Sequence, residues 1–198
     1  FHLPYFIVIS DNKDFTVTPR FYKNEKLLVQ NEYRSVSPKT TNFFDFSFMA
    51  EKNRRDSRSH FFSKTSKKLD FNNFDESELH LDLQLTTNDT YLKTYKLESP
   101  IITNSNLLTS SVGISAYRED LSFNTNLEVY ENLSIQGSDR YEVIYPSYDL
   151  IKSLDNPTKL NGNFSIYSSG FFKNYNTNVY EKVVINDFIF NSNAIFTK

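Results

Sequence analysis

Apolar and polar residues alternate with a period of two along much of this chain. In the segment 78–87, polar residues separate Leu79, Leu81, Leu83 and Leu85. A helix has 3.6 residues per turn and would spread these leucines around its circumference, whereas a strand places them on one face. The pattern therefore predicts a strand over 78–87, which is the clearest element of the chain.

The same alternation predicts strands on both sides of this segment. Phe44, Phe46 and Phe48 alternate with polar residues in 42–52, and two apolar runs around the polar turn 11–14 predict a β-hairpin, followed by a third strand over 27–36. Further strands are predicted over 60–63, 107–117, 121–130, 138–151, 158–168 and 179–190. The segment 88–106 has no clean period and leaves room for one hidden strand. The chain is thus predicted to be an all-β antiparallel meander of about ten or eleven strands, without a helix.

Periodicity alone does not say which face of such a sheet meets water. A soluble sandwich points its apolar side chains inward, whereas a transmembrane barrel points them outward to lipid. Several predicted strands have the length of about 9–11 residues that a tilted strand needs to cross a bilayer. A soluble or surface β-sandwich that binds ligands, such as a lectin-like or adhesin domain, remains the alternative.

Composition narrows the function classes. The formal net charge of −2 gives no reason to expect nucleic acid as a partner, and the 16% aromatic content favours β structure. There is no cysteine, so disulfides and thiol chemistry are excluded within this stretch. No apolar run is long enough for a transmembrane helix. The sequence begins at Phe1 without a leader pattern, so any signal peptide is expected outside it.

No catalytic or metal-binding motif is evident. His2, His60 and His80 are isolated in the sequence, and there is no nucleophile elbow or glycine-rich phosphate loop. We therefore expect no enzymatic activity and no cofactor. The basic segment 52–68 could bind phosphates, including those of lipid A, but a solvated loop with a short strand over 60–63 is the favoured interpretation. The turn 11–14 lacks the ligand spacing of a calcium loop and is interpreted as a plain β-turn.

Two prolines have no simple structural explanation. Pro4 and Pro19 are predicted to lie at about the same height on the two strands of the first hairpin, where each removes a backbone donor from the ladder. Proline can protect a sheet edge against aggregation. The alternative is a seam that is built to open.

The same residues carry a family resemblance. A proline followed by aromatics, and then D-x-T-x-T-P-R with its proline fifteen positions later, resembles the start of the barrel in the lipopolysaccharide-assembly outer-membrane protein family (LptD). The matching residues are Pro4, Tyr5, Asp14, Thr16, Thr18, Pro19 and Arg20. Weaker similarity continues through 88–92, 111–129 and 139–146. The chain departs from the family at 24–26, where members usually have a glycine before the third strand.

The resemblance implies a function and a location. The family forms a very large barrel in the outer membrane of Gram-negative bacteria, where lipopolysaccharide leaves through a lateral gate between the first and last strands. It implies that Pro4 and Pro19 are gate residues. The implied partners are lipopolysaccharide, an LptE-like plug lipoprotein, the outer-membrane lipid bilayer and the periplasmic bridge proteins, which would act through an upstream jelly-roll domain.

Residues 1–198 would then be the N-terminal part of the barrel, with the jelly-roll, the closing strands and the family's usual cysteines outside it. We expect an open curved sheet with two unpaired edges. Leu79, Leu81, Leu83, Leu85, Phe44, Phe46 and Phe48 are expected to face lipid. Short turns are expected on the periplasmic side and long loops outside.

Overall fold

The chain forms a single antiparallel sheet of eleven strands in a computed structural model. The structure describes residues 1–23, 26–50, 58–154 and 161–192. Every strand pairs with its sequence neighbours, so the order in the sheet is the order in the chain. The predicted all-β meander is confirmed. The strands are β1 (Tyr5–Ser10), β2 (Lys13–Tyr22), β3 (Lys26–Val36), β4 (Thr40–Ala50), β5 (Ser59–Lys68), β6 (Glu76–Thr86), β7 (Leu107–Arg118), β8 (Leu121–Asn132), β9 (Tyr141–Leu154), β10 (Gly162–Tyr175) and β11 (Val179–Ser192).

The basic segment differs from its prediction. Instead of a loop with a short strand over 60–63, its described part is the complete strand β5, paired along its length with β4 and β6. Lys64 and Lys68 lie on this strand, whereas residues 52–57 lie outside the described part of the chain. The prediction was wrong because β5 has serine, threonine and lysine where an apolar repeat would mark a strand, and pairing with its neighbours outweighs this weak local signal.

The segment 88–106, hereafter the insert, contains no strand. It connects β6 to β7 and has one short helix, α1 (Tyr91–Thr94). The part of the chain that the structure describes therefore has eleven strands. A single turn of 3-10 helix, Ser138–Arg140, precedes β9. Within the described residues, no helix has the length and hydropathy needed to cross a membrane.

The two faces of the sheet differ in character. Cross-strand partners share a face, and the registers of Phe44 with Ser63 and of Ser63 with Leu83 place these residues together. All the residues predicted to face lipid share this side, which we call the apolar face: Leu79, Leu81, Leu83, Leu85, Phe44, Phe46 and Phe48. The opposite side, the polar face, includes Asp45 and His60.

Nothing in the described chain covers the apolar face. Phe48 is 50% exposed and Leu85 is 53% exposed, although both belong to interior strands of the sheet. The buried core lies on the other side, where the insert packs on the polar face. A β-sandwich needs a second sheet against its apolar face. The described residues form one sheet only, so they are not a sandwich.

The sheet is open, as predicted. Neither the outer edge of β1 nor that of β11 pairs with another strand within the described chain. One end of the sheet, the turn end, carries the connections 11–12, 37–39, 69–75, 119–120 and 155–161. The other end, the insert end, carries 23–25, 51–58, 87–106, 133–140 and 176–178, and β1 starts there.

Candidate functional site

The first feature of interest is the pairing of β1 with β2. The pairs Tyr5 with Val17 and His2 with Arg20 leave Pro4 opposite Thr18, and Pro19 lies one residue further along. The two prolines are therefore at about the same height, as predicted. The regular ladder of β1 begins only after Pro4, and a single bridge continues it beyond the prolines.

The two prolines remove donors from different edges. The Leu3 N–H donates to the Pro19 carbonyl at 3.3 Å, so the backbone groups of Leu3 point toward β2. In an antiparallel sheet, two residues paired in this way normally make two hydrogen bonds, one from each N–H to the carbonyl of the other. Here the second bond is missing, because Pro19 has no N–H to donate to the Leu3 carbonyl. Backbone groups of successive residues point to opposite sides. The donor that Pro4 lacks would therefore point away from β2, at the free edge of the sheet.

The side chains of the sequence motif divide between the faces. Asp14, Thr16, Thr18 and Arg20 alternate with apolar residues on β2 and project on the polar face, whereas Tyr5 lies on the apolar face. The sequence motif thus combines missing backbone donors on β1 and β2 with a row of polar side chains on β2.

Arg20 is the cation of this row, and most of its donors are unpaired. It donates from Nη2 to the Gln30 Oε1 at 2.8 Å, while its Nε is buried and has no hydrogen-bond partner within the described chain. Among the described residues it makes no ion pair. An arginine has five donors in a fixed planar fork. Arg20 therefore keeps unused capacity to bind an anion.

The second feature is the packing of the insert on the polar face. Leu92, Tyr95 and Leu97 of the insert are buried against Leu28, Met49 and Phe62 of the sheet. The Tyr22 hydroxyl donates to the Tyr95 carbonyl at 2.7 Å. An apolar core that joins three strands to one loop explains why the insert folds onto the sheet instead of projecting from its end.

A buried hydrogen-bond network starts and ends on the insert. The Tyr91 hydroxyl lies 2.7 Å from the Ser47 hydroxyl, which lies 2.7 Å from Nδ1 of His60. Nε2 of His60 lies 3.1 Å from Oδ1 of Asp45. Asp45 also accepts from the Gln30 amide at 3.2 Å, and that amide donates to the carbonyl of Glu98 at 3.0 Å, which returns the network to the insert.

The prediction that His60 is isolated was wrong. His60 and Asp45 have side chains that are 0% exposed, and adjacent strands bring them together with Ser47. His60 is distant from Asp45 and Ser47 in the sequence, so only the pairing register of β4 and β5 shows that their side chains meet. His80 also has neighbours, Ser115 at 3.4 Å and Glu78 at 3.9 Å. His2 takes part in the backbone bridge to Arg20. The described residues contain no cluster that could hold a metal ion.

The order Ser47, His60, Asp45 matches the connectivity of a nucleophile, its base and an orienting carboxylate. Here the serine is closed to a substrate, because Ser47 is 2% exposed and Tyr91 of the insert lies directly on its hydroxyl. Burial raises the pKa of Tyr91 to about 12, so its hydroxyl stays neutral and able to donate. The network holds the insert in place.

The weaker segments of the resemblance meet in space. Arg140, just before β9, donates from Nη2 to Asp89 of the insert at 2.8 Å and to Glu131 of β8 at 2.6 Å. The segments 88–92 and 139–146 therefore contact each other through an ion pair, which fixes the start of the insert. Of residues 24–26, where the sequence departs from the resemblance, 24 and 25 lie outside the described part and Lys26 begins β3.

The chain matches no protein-family model, and no curated protein matches it significantly.

Proposed function

We propose that this chain is part of an outer-membrane β-barrel that delivers lipopolysaccharide to the outer leaflet through a seam at β1. The uncovered apolar face carries the barrel part of the proposal. It extends across interior strands that are ten to fourteen residues long, which is enough for tilted strands to cross a bilayer. In water, so large an apolar surface would be a liability, whereas in a membrane it is the surface that contacts lipid.

The open edges favour a partial barrel over a complete domain. An isolated sheet with unpaired outer strands exposes rows of unsatisfied backbone groups, which a bilayer does not tolerate. Further strands of the same chain would pair with β11 and return to β1. The seam would then lie between β1 and the closing strand.

The cargo is proposed from the motif of β1 and β2. Pro4 withholds a donor from the edge where a closing strand would pair, and Pro19 withholds one from the bond to Leu3. The bond missing at Pro4 lowers the cost of opening the seam by about 1 kcal/mol, the net value of one hydrogen bond, whereas the bond missing at Pro19 weakens the pairing of β1 with β2. Acyl chains could leave through such a seam into the bilayer while sugars pass along the polar face, and no covalent chemistry is required.

The proposal also gives an orientation. A periplasmic domain upstream of Phe1 puts the insert end of the sheet at the periplasm, because β1 starts there. The rule that long loops face outward would give the opposite result. However, the longest connection, 87–106, folds onto the polar face and does not project, and the remaining connections at the two ends have similar lengths. We therefore place the insert end at the periplasm.

Replacing the gate prolines tests the function. In the complete protein, Pro4→Val restores a donor at the closing seam, and Pro19→Val restores one toward Leu3. We expect Pro4→Val to slow the arrival of newly made lipopolysaccharide at the cell surface about fivefold, the factor that corresponds to one hydrogen bond. Pro38→Ser, a proline change in a turn, serves as the control. Export at the wild-type rate in both gate variants, at normal protein levels, would refute the gate role.

A further inference from the structure

A cavity of about 360 Å³ lies where β1 and β2 meet the insert. It is next to the seam, at the end of the sheet where β1 starts. Two aromatic side chains, Tyr22 and Tyr95, form part of its wall, and they are held edge to face with their ring centroids 5.0 Å apart. The cavity therefore has a preformed apolar wall.

The cavity has more cationic than anionic side chains in its lining. Arg20 and Lys96 contribute two cations, and Glu98 contributes one carboxylate. Arg20 makes no ion pair among the described residues, and its Nε has no hydrogen-bond partner there. This Nε is closed to a ligand, but Nη1 also makes no hydrogen bond to a described residue and is accessible, so it can donate to a ligand oxygen. Glu98 is exposed on the insert. The net charge of these three groups favours an anion.

The neighbouring cavity, of about 430 Å³, has more carboxylates than cations in its lining. Arg20 also lines it, but there it faces the carboxylates of both Glu32 and Glu98. An anion would be repelled on that side of Arg20. The cavity that includes Lys96 is therefore the better anion site, and its aromatic wall distinguishes it from a purely polar one.

We propose that Arg20 and Lys96 bind the phosphate of an amphipathic lipid in this cavity, with the aromatic wall against the adjoining apolar part of the lipid. Guanidinium groups bind phosphate oxygens through charge-assisted bonds, often two at once. The inference rests on the proposed function for the choice of lipid. In that case the site lies at the periplasmic end of the seam, where it would hold the lipid phosphate before the seam opens.

The experiment measures binding of fluorescent bisphosphorylated lipid A to the complete protein in detergent. Arg20→Gln should weaken binding about tenfold or more, the usual effect of losing a hydrogen bond to a charged group. Arg34→Gln is the matched control, because Arg34 lies on the same face and is already paired with Glu32 at 3.1 Å. Lys96→Asn should also weaken binding, and asparagine suits the positive φ of 48° at this position. Lys93→Asn, on the same insert but outside the cavity, should not.

Two further probes identify the ligand chemistry. Dephosphorylated lipid A should bind wild-type protein and Arg20→Gln equally weakly, and inorganic phosphate should compete only at far higher concentration than the lipid. Equal affinity of Arg20→Gln and Arg34→Gln for the bisphosphorylated lipid would overturn the site. Inorganic phosphate that binds as tightly as the lipid would overturn the assignment to a lipid.

The outcome also separates this inference from the proposed function. If lipid A binds through Arg20 but depletion of the protein leaves surface lipopolysaccharide unchanged, the export proposal fails and the phosphate site stands. If export depends on the protein but Arg20→Gln binds like the control, the phosphate site fails and the export proposal stands.

Discussion

Removing the buried carboxylate Asp45 should destabilise the protein strongly. In a site closed to water, Asp45→Ala removes the acceptor of the His60 Nε2, 3.1 Å away, and one of the two acceptors of the Gln30 amide, 3.2 Å away, which keeps only the Glu98 carbonyl. Each buried donor without a partner costs about 1–3 kcal/mol. For two such donors we expect the free energy of unfolding to fall by about 2–6 kcal/mol.

The assay is urea unfolding of the complete protein in detergent, followed by far-UV circular dichroism. Asp70→Ala is the matched control, because Asp70 is a carboxylate that also pairs with one basic side chain, Lys39, but is 75% exposed. An exposed pair contributes little, so this variant should unfold close to the wild type. Hydrogen exchange adds a local readout, since amides of the insert should lose protection in Asp45→Ala first.

The reasoning would be refuted if both variants unfolded at the same urea concentration. It would also be refuted if Asp45→Ala were destabilised while the insert kept its protection, because the network would then stabilise the strands without holding the insert.

Two other predictions concern the membrane. Leu83→Arg puts a charge on the apolar face and should cost about 2–4 kcal/mol near the bilayer midplane, whereas Asp82→Leu, on the polar face, should have a small effect; the reverse result in detergent unfolding experiments would mean that the faces are exchanged. Cysteines introduced at Asn12 and Asn104 should differ in labelling by an impermeant reagent on intact cells. The proposed orientation predicts labelling at Asn12 only, and labelling at Asn104 alone would reverse it.

The sequence was sufficient for most of the fold because period-two alternation is a local signal. Leu79 to Leu85 and Phe44 to Phe48 identify their strands and their shared faces without reference to any other segment. Most of β5 was not predicted, because it has serine, threonine and lysine where an apolar repeat would mark a strand. Its strand conformation comes from pairing with β4 and β6. The helix of the insert was not predicted either, because a helix of four residues is too short to show a periodic pattern in the sequence.

The site was predicted only where it is local. The prolines could be placed to within one residue, because the tight turn after Ser10 sets the register of the hairpin and an irregularity between Val8 and Ser10 shifts it by one residue. The contact of His60 with Asp45 depends on the register of two strands joined by a longer connection, and the contact of Tyr91 with Ser47 depends on a loop folding back over 44 positions. Neither contact can be predicted from the spacing of these residues along the chain.

The strict neighbour-to-neighbour pairing of the eleven strands has a consequence for biogenesis. Because no strand waits for a distant partner, the sheet can grow by adding one strand at a time in chain order, with a short loop to close at each step. The insert is the exception, since its site on β3, β4 and β5 exists before β6 leads into it. It can dock as soon as it is synthesised, ahead of β7. Every intermediate then presents two unpaired edges, the constant outer edge of β1 and the edge of the newest strand, and whatever assists membrane insertion has to shield both.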